Sequence, residues 1–258
     1  MINQSVCAPI LKPAEISYEQ FIPEIKEIGF KAIEFWGLPE DIDRIHKLTQ
    51  QQGLAIASFT GHDDIEHGMN DPSQHKRILN ELEHSIRQAH KYGVHGIICF
   101  SGAKNPELST NQSVQNCADC LNKIAPLAAE LNVLINLELL NSLVDHPGYE
   151  CNNTQYGVQV AQAVNHPNVK LLYDIYHMQI MEGSLITNIT ENIDWIGHFH
   201  TAGVPGRFDL DDEQEINYAG VAKAINNTGY PHYVGHEFHP KHHYLHSLKQ
   251  AYNVCNVQ

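Results

Sequence analysis

The amino-acid sequence predicts a single-domain (β/α)8 barrel, an α/β fold, over residues 1–258. Short β-prone runs that end in polar residues alternate along the whole chain with amphipathic stretches of helical period. The pattern contains eight predicted strands, and 258 residues is the usual length of one such barrel. No linker or change of composition divides the chain. A doubly wound open sheet is the weaker alternative, because no glycine-rich phosphate loop follows the first strand.

The predicted strands are runs with β propensity, each followed by a polar or turn segment. In chain order they are Gln4–Pro9, Ala32–Trp36, Leu54–Phe59, Gly96–Phe100, Val133–Leu139, Lys170–Tyr176, Asp194–His200 and Tyr233–Phe238. The sixth is the most informative, because its apolar run ends in Asp174 and an imidazole, His177, follows three residues later. An acid at the end of a buried strand needs a partner, either a hydrogen-bonded core network or a metal ion.

Helices are predicted between the strands from the spacing of apolar residues and from capping signals. They cover Ser17–Gly29, Pro39–Gln52, Asp71–Tyr92, Ser113–Leu131, Thr154–Val164, Leu185–Glu191, Ile216–Asn226 and Lys241–Val254. Ser17 is a suitable N-cap of the first helix and Gly29 ends it. Asp71 is placed as the N-cap of the third helix, with Pro72 at its first helical position.

Composition limits the possible partners. The formal net charge is −14, which argues against electrostatic binding of a nucleic-acid backbone. No apolar run reaches membrane-spanning length, and the first residues lack the features of a secretory signal. We therefore expect a cytoplasmic protein with reduced thiols. Cys117 and Cys120 have CxxC spacing, but they lie in a helical pattern without a second pair, so we expect packing rather than redox chemistry.

Polar side chains end four successive strands at the edge where a barrel places its chemistry. Glu138 ends strand five, Asp174 ends strand six, His200 ends strand seven and Glu237 ends strand eight. Each residue alone could make a structural hydrogen bond. Together they form a mixed oxygen and nitrogen set that suits a divalent ion such as Mg²⁺ or Mn²⁺. The sequence therefore predicts a metal site at this edge, with His198 as a deeper neighbour on the face of His200.

Other residues near the strand ends are candidates for substrate binding. Arg207 lies in a glycine- and proline-containing loop after strand seven, where it could bind a substrate carboxylate or pair with an active-site Glu. His62 after strand three and Lys104 after strand four are weaker candidates. Trp36 and Phe59 could form a wall of the pocket, but core packing is the better-supported interpretation of both.

The chain resembles the xylose-isomerase-like TIM barrels, and within them the hydroxypyruvate isomerase group. The residues that carry the resemblance are Asn136–Asn141, Pro147–Tyr149, Tyr173–Gln179, Ile196–His198, Pro205–Arg207, Glu215–Tyr218 and Gly235–Pro240. The run Asp174-Ile-Tyr-His-Met and the Pro-Gly-Arg207 segment are the most specific. Two positions depart from the group: His200 stands where Gln is frequent, and His239 stands where Lys is common.

The resemblance implies an enzyme that binds a divalent metal through Glu138, Asp174, His200 and Glu237. It also implies that Glu138 and Glu237 act as acid and base, with His177 and Arg207 near a small-molecule substrate. The expected reaction is isomerisation of a small 2-oxo/hydroxy acid or sugar through an enediolate, either by proton transfer or by a hydride shift. A ketose 3-epimerase is the main alternative, and His200 favours it slightly. A polyol dehydratase, a DNA-repair endonuclease and a non-catalytic sugar-binding barrel are further alternatives.

Overall fold

The computed structural model of the protein describes residues 1–257. Eight parallel strands pair in chain order and close into a barrel, which confirms the predicted fold class. The strands are β1 (Asn3–Cys7), β2 (Ala32–Phe35), β3 (Ala55–Thr60), β4 (Gly96–Cys99), β5 (Leu134–Glu138), β6 (Val169–Asp174), β7 (Ile196–Thr201) and β8 (Tyr233–His236). The barrel closes because β8 pairs with β1 in parallel, with Ser5 opposite Gly235.

Ten α-helices accompany the strands among the described residues. They are α1 (Ala8–Leu11), α2 (Tyr18–Ile28), α3 (Ile42–Gln52), α4 (His75–Tyr92), α5 (Thr110–Glu130), α6 (Thr154–Val164), α7 (Ile175–Met181), α8 (Leu185–Asn192), α9 (Tyr218–Asn227) and α10 (Tyr244–Cys255). The α4 helix shows how they pack, because Ile78, Leu82 and Ile86 recur every four residues and are fully buried. In the same part of the chain, no helix combines the length and the apolar character needed to cross a membrane.

Two predicted strands end two residues earlier in the structure than the sequence pattern indicated, because a helix begins directly after each of them. Strand β1 stops at Cys7 because the next residues form the short helix α1, in which Pro9 occupies the first turn. Strand β6 stops at Asp174, whose Oδ1 accepts a hydrogen bond from the His177 N–H at 3.0 Å and so caps α7. The predicted strand to Tyr176 was therefore wrong at its end. His177 lies in the first turn of a helix.

The loop after β3 packs main chain against main chain at Gly68. A Cβ atom on Gly68 would lie 2.2 Å from the Gly102 nitrogen and 2.3 Å from the Ser101 carbonyl carbon. We expect Gly68→Ala to lower the free energy of unfolding by about 1–3 kcal/mol, because the backbone must shift to admit the methyl group. Urea denaturation would measure it. Gly37→Ala is the matched control, since a methyl group at position 37 would have nothing within 4 Å of it. Equal midpoints for both variants would contradict the prediction.

Candidate active site

The carboxyl ends of four neighbouring strands bring together one buried group of side chains, Glu138, Asp174, His200 and Glu237. Each offers a ligand atom, and these atoms all lie within 4.8 Å of one another. Parallel pairing places Asp174 of β6 opposite His200 of β7, and Glu237 follows directly after β8. We call these four residues the acid–histidine cluster. The structure thus places together the four residues that the sequence predicted as metal ligands.

His200 occupies the centre of the acid–histidine cluster. Its Nδ1 atom lies 3.2 Å from an oxygen of Glu237, 3.5 Å from an oxygen of Glu138 and 3.9 Å from an oxygen of Asp174. All four side chains are almost completely buried. One imidazole therefore faces three carboxylates that have lost most of their contact with water.

Burial and neighbouring charge shift the ionisation of these acids in different directions. Burial raises the pKa of Glu138, and it raises the pKa of Asp174 to about 6. Burial also disfavours the charged form of Glu237. The positive charges of His200 and Arg207 outweigh that effect and hold the pKa of Glu237 well below its usual range. The acid–histidine cluster therefore holds one acid that ionises readily beside two that retain a proton more easily.

The donor atoms of the acid–histidine cluster fit a divalent cation. Both ring nitrogens of His200 are buried without a hydrogen-bond partner among the described residues, and an unpaired buried polar atom is costly. Three carboxylates that converge in a buried space also need positive charge to compensate them. Oxygen donors with one imidazole nitrogen suit Mg²⁺ or Mn²⁺, with water or substrate oxygens in the remaining positions.

A cavity of about 360 Å³ lies at the acid–histidine cluster. Its polar lining includes Glu138, His200, Glu237 and Arg207, and its apolar lining is Trp36, Ile65, Ile98, Phe100 and Leu140. Trp36 is 49% exposed and belongs to the cavity wall, whereas Phe59 is part of the core. The volume and the mixed lining are typical of a site for a small molecule.

Three side chains hold the Glu237 carboxylate in place. The Trp36 indole N–H donates to Oε1, the Arg207 guanidinium donates to Oε2, and the Cys7 thiol lies 3.7 Å from Oε1. Arg207 belongs to the loop between β7 and α9, and its carbonyl accepts a hydrogen bond from the His239 N–H at 2.8 Å. The ion pair with Glu is one of the two roles that the sequence indicated for Arg207.

The orientation of Asn141 determines which nitrogen of His177 carries the proton. The Asn141 Oδ1 atom accepts hydrogen bonds from the N–H groups of Val144 and Asp145, both at 2.9 Å. Its Nδ2 group is therefore the donor that faces His177 Nδ1 at 2.6 Å. The proton of the neutral ring then resides on Nε2, which is buried without a partner and lies 3.7 Å from Asp174 Oδ2. His177 thus offers an N–H group toward the acid–histidine cluster.

His62 lies apart from the cavity lining. Its Nε2 atom accepts a hydrogen bond from the Phe100 N–H at 2.9 Å, and its Nδ1 atom is buried without a partner. Burial lowers the pKa of His62 to about 4, so the ring is neutral near pH 7. The structure therefore places His62 behind the pocket wall, where it supports the backbone of Phe100.

Glu34 is a buried acid that the sequence pattern indicated only as part of the second strand. Burial disfavours its ionisation, but the charges of His198 and His200 outweigh this and hold its pKa below the usual range. The signal that could have identified it is a carboxylate inside the otherwise apolar run Ala32–Phe35. Its partner His198 is 164 positions away in the sequence, so no local pattern reveals the pair.

Comparison with known proteins places the chain among related barrels. The family described as xylose isomerase-like TIM barrel matches residues 22–253. The protein named "Putative hydroxypyruvate isomerase" of Drosophila melanogaster is 36% identical over 220 residues, which cover 83% of this chain and 82% of that protein. Hydroxypyruvate isomerase of Escherichia coli (strain K12) is 31% identical over 170 residues, or 66% of this chain and 65% of that protein.

The fold is also similar to solved structures. An AP endonuclease of family 2 from Brucella melitensis superposes with a TM-score of 0.83 at 23% identity, covering 96% of this chain and 97% of that chain. A likeness at this identity concerns the arrangement of the barrel alone. The chemistry of the site has to be argued from its own residues.

Proposed function

The chain belongs to the xylose isomerase-like TIM barrel family and, within it, to the hydroxypyruvate isomerase group, and from this premise we propose that it isomerises a small 2-oxo/hydroxy acid or sugar. Hydroxypyruvate would give 2-hydroxy-3-oxopropanoate. One proton leaves the hydroxymethyl carbon, and the electrons of that C–H bond form an enediolate. A proton returns to the former carbonyl carbon, and the hydroxyl proton passes from the former hydroxymethyl oxygen to the former carbonyl oxygen, so that an aldehyde and a secondary alcohol result. The observation that carries the proposal is the pair of buried carboxylates, Glu138 and Glu237, that line one cavity.

The two carboxylates take different parts in the proposed proton transfer. Glu237 is the base, because the permanent charge of Arg207, which donates to its Oε2 atom, favours its ionised form. Glu138 returns the proton, because burial favours its protonated form. In many enzymes the surroundings of two carboxyl groups separate their pKa values, and this difference identifies which group acts as the acid and which as the base. Glu138 is the last residue of β5 and Glu237 follows β8, so the pair can approach a small substrate from different sides of the barrel mouth.

The metal ion of the proposal is held by the acid–histidine cluster. A divalent ion there would polarise adjacent carbonyl and hydroxyl oxygens of the substrate and so acidify the C–H bond beside them. Asp174 binds without exchanging protons, since the His177 N–H holds its Oδ1 atom at 3.0 Å. His200 contributes Nδ1, the ring nitrogen that faces the three carboxylates.

Arg207 and His177 orient the substrate in this proposal. Arg207 lines the cavity and carries a permanent charge, so it can bind a substrate carboxylate in addition to Glu237. His177 presents a buried N–H on Nε2 that can donate to a substrate oxygen. In this proposal His62 acts on substrate binding only through Phe100. Its one hydrogen bond supports the backbone of that residue, which lies in the cavity wall.

A ketose 3-epimerase is the second candidate function. It would use the same carboxylates, and it is favoured by His200 at a position where the hydroxypyruvate isomerase group often has Gln. The charge of −14 argues against an endonuclease, which has to bind an anionic backbone.

One assay separates these functions. Mn²⁺-loaded protein is incubated in D2O with hydroxypyruvate and, separately, with a panel of ketoses, and isomer formation and C–H exchange are followed by NMR. We expect conversion of hydroxypyruvate with deuterium on the former carbonyl carbon. Turnover of ketoses without turnover of hydroxypyruvate would identify the epimerase. Conversion without solvent deuterium would indicate a hydride shift, and absence of any turnover would favour a binding protein.

The affinity for the metal should depend on pH through Asp174. Because burial raises the pKa of Asp174 to about 6, this ligand becomes protonated as the pH falls through 6 and then competes poorly for a cation. We expect the Kd for Mn²⁺ to rise at least about tenfold between pH 7 and pH 5, because the titration of Asp174 alone gives that factor and the raised pKa of Glu138 acts in the same direction. Calorimetry at several pH values would measure it. An affinity that stays constant over this interval would contradict the prediction.

A further inference from the structure

Glu34 lies next to His200 and bridges two imidazoles inside the barrel. Its side chain is 1% exposed. The Oε2 atom accepts hydrogen bonds from His198 Nε2 at 2.7 Å and from the Ser58 hydroxyl at 2.9 Å. The Oε1 atom accepts a longer bond from the Ser5 hydroxyl at 3.5 Å and lies 3.7 Å from His200 Nε2. One oxygen of Glu34 is thus fully engaged, and the other faces His200.

The two nitrogens of His200 have different surroundings. Nδ1 faces the oxygens of Glu237, Glu138 and Asp174, whereas the carboxylate nearest to Nε2 is Glu34. An imidazole that binds a cation through one nitrogen keeps its proton on the other, and a hydrogen-bond acceptor at that second nitrogen sets the tautomer and the ring orientation. Glu34 Oε1, at 3.7 Å from Nε2, is the carboxylate oxygen that lies on that side of the ring.

Gly235 provides the space in which Glu34 and His200 approach each other. A Cβ atom on Gly235 would lie 1.9 Å from Glu34 Oε1 and 3.0 Å from His200 Cδ2. Strand pairing sets Gly235 directly opposite His200. Any larger residue at position 235 would displace the Glu34 carboxylate from the His200 ring. The contact between Glu34 and His200 therefore depends on the glycine.

We propose that Glu34 is a positioning residue that accepts the Nε2–H of His200 and so presents the Nδ1 lone pair to a divalent ion in the acid–histidine cluster. The inference rests on the metal site of the proposed function and adds a residue outside the ligand set. Glu34, His198 and His200 are also close enough to hold a second ion. The direct 2.7 Å bond between Glu34 and His198 favours the positioning role, because it already engages both groups.

The test compares Mn²⁺ binding by the wild-type protein and by Glu34→Gln, using electron paramagnetic resonance of free Mn²⁺. We expect one ion per chain in both, with a Kd about 10–100-fold weaker in Glu34→Gln, the usual effect of losing an outer partner of a ligating imidazole. Glu34→Asp keeps the negative charge but moves the carboxylate oxygens away from His200, so we expect an affinity for Mn²⁺ between those of the wild type and Glu34→Gln. This variant replaces Glu34→Gln in the test if Glu34→Gln does not fold. Glu150→Gln, at another buried acid, is the matched control and should leave the Kd unchanged.

A second readout addresses the tautomer itself. With ¹⁵N-labelled histidine and Mg²⁺ bound, the His200 ring should show its proton on Nε2 in the wild type and a mixture of tautomers in Glu34→Gln. Equal Kd values and equal His200 spectra in wild type and Glu34→Gln would overturn the positioning role while leaving the metal site intact. Two ions per chain in the wild type and one in Glu34→Gln would make Glu34 a ligand instead. A wild type that binds no Mn²⁺ would remove the proposed metal site and this inference together.

Discussion

Replacing either buried carboxylate of the cavity should nearly abolish turnover. We expect Glu237→Gln and Glu138→Gln each to lower kcat/KM for hydroxypyruvate by about 10²–10⁴-fold, the usual contribution of a positioned acid or base. The amide keeps the shape of the side chain and can still accept from Trp36 or face His200, but it cannot take up or return a proton. Conversion followed by NMR in D2O would measure the loss.

Both carboxylates are also proposed metal ligands, so the assay needs a control for metal loss. Activity is therefore compared at Mn²⁺ concentrations far above the Kd of each variant, and bound metal is measured in the same samples. Glu150→Gln is again the matched substitution at a buried acid outside the cavity lining. Wild-type activity in either cavity variant would remove the two-carboxylate mechanism. Restoration of full activity by excess Mn²⁺ would leave the residue with a ligand role only.

Removing divalent ions with a chelator should abolish turnover and also lower the stability of the fold. Glu138, Asp174 and Glu237 converge on one buried imidazole, and without a cation their mutual repulsion is only partly compensated. Binding of Mn²⁺ at 100 times its Kd adds about 2.7 kcal/mol to the free energy of unfolding. For a chain of this size we expect a rise in Tm of roughly 5–10 °C, measured by thermal denaturation of chelated and Mn²⁺-loaded protein.

Asp174→Asn is the control for that experiment, because it removes one ligand while His177 N–H can still bond to the side-chain oxygen. The Tm of this variant should respond little to Mn²⁺. Activity that persists in excess chelator, in protein without measurable metal, would contradict the metal dependence. An equal rise in Tm in Asp174→Asn would show that the ion binds elsewhere.

The sequence was sufficient to predict the barrel and the meeting of four polar strand ends. The reason is that both depend on local regularities: hydrophobic period identifies strands and helices, and parallel strands end at the same edge of a barrel. Once β5 to β8 were recognised as successive strands, Glu138, Asp174, His200 and Glu237 had to be neighbours. The assignment did not require knowledge of any side-chain conformation.

The roles of His62, His177 and Glu34 could not be predicted in the same way. His62 and His177 both follow strand ends, yet one ring supports the backbone of Phe100 and the other offers an N–H toward Asp174. The difference arises from contacts with residues on other loops, among them the bond between Asn141 and His177. Position along a strand indicates which edge a residue reaches, but not what its ring nitrogens contact.

The sequence by itself determined the fold class, the order of the strands and the set of polar residues at one end of the barrel. Only the tertiary structure decided that Glu34 lies beside His200 and that His62 accepts a hydrogen bond from the Phe100 backbone and does not line the cavity. The physical reason is that buried charge is stabilised by partners distant in the chain, such as His198 for Glu34. Those partners are selected by strand register and by the space that Gly235 leaves open, and neither is encoded in a local pattern.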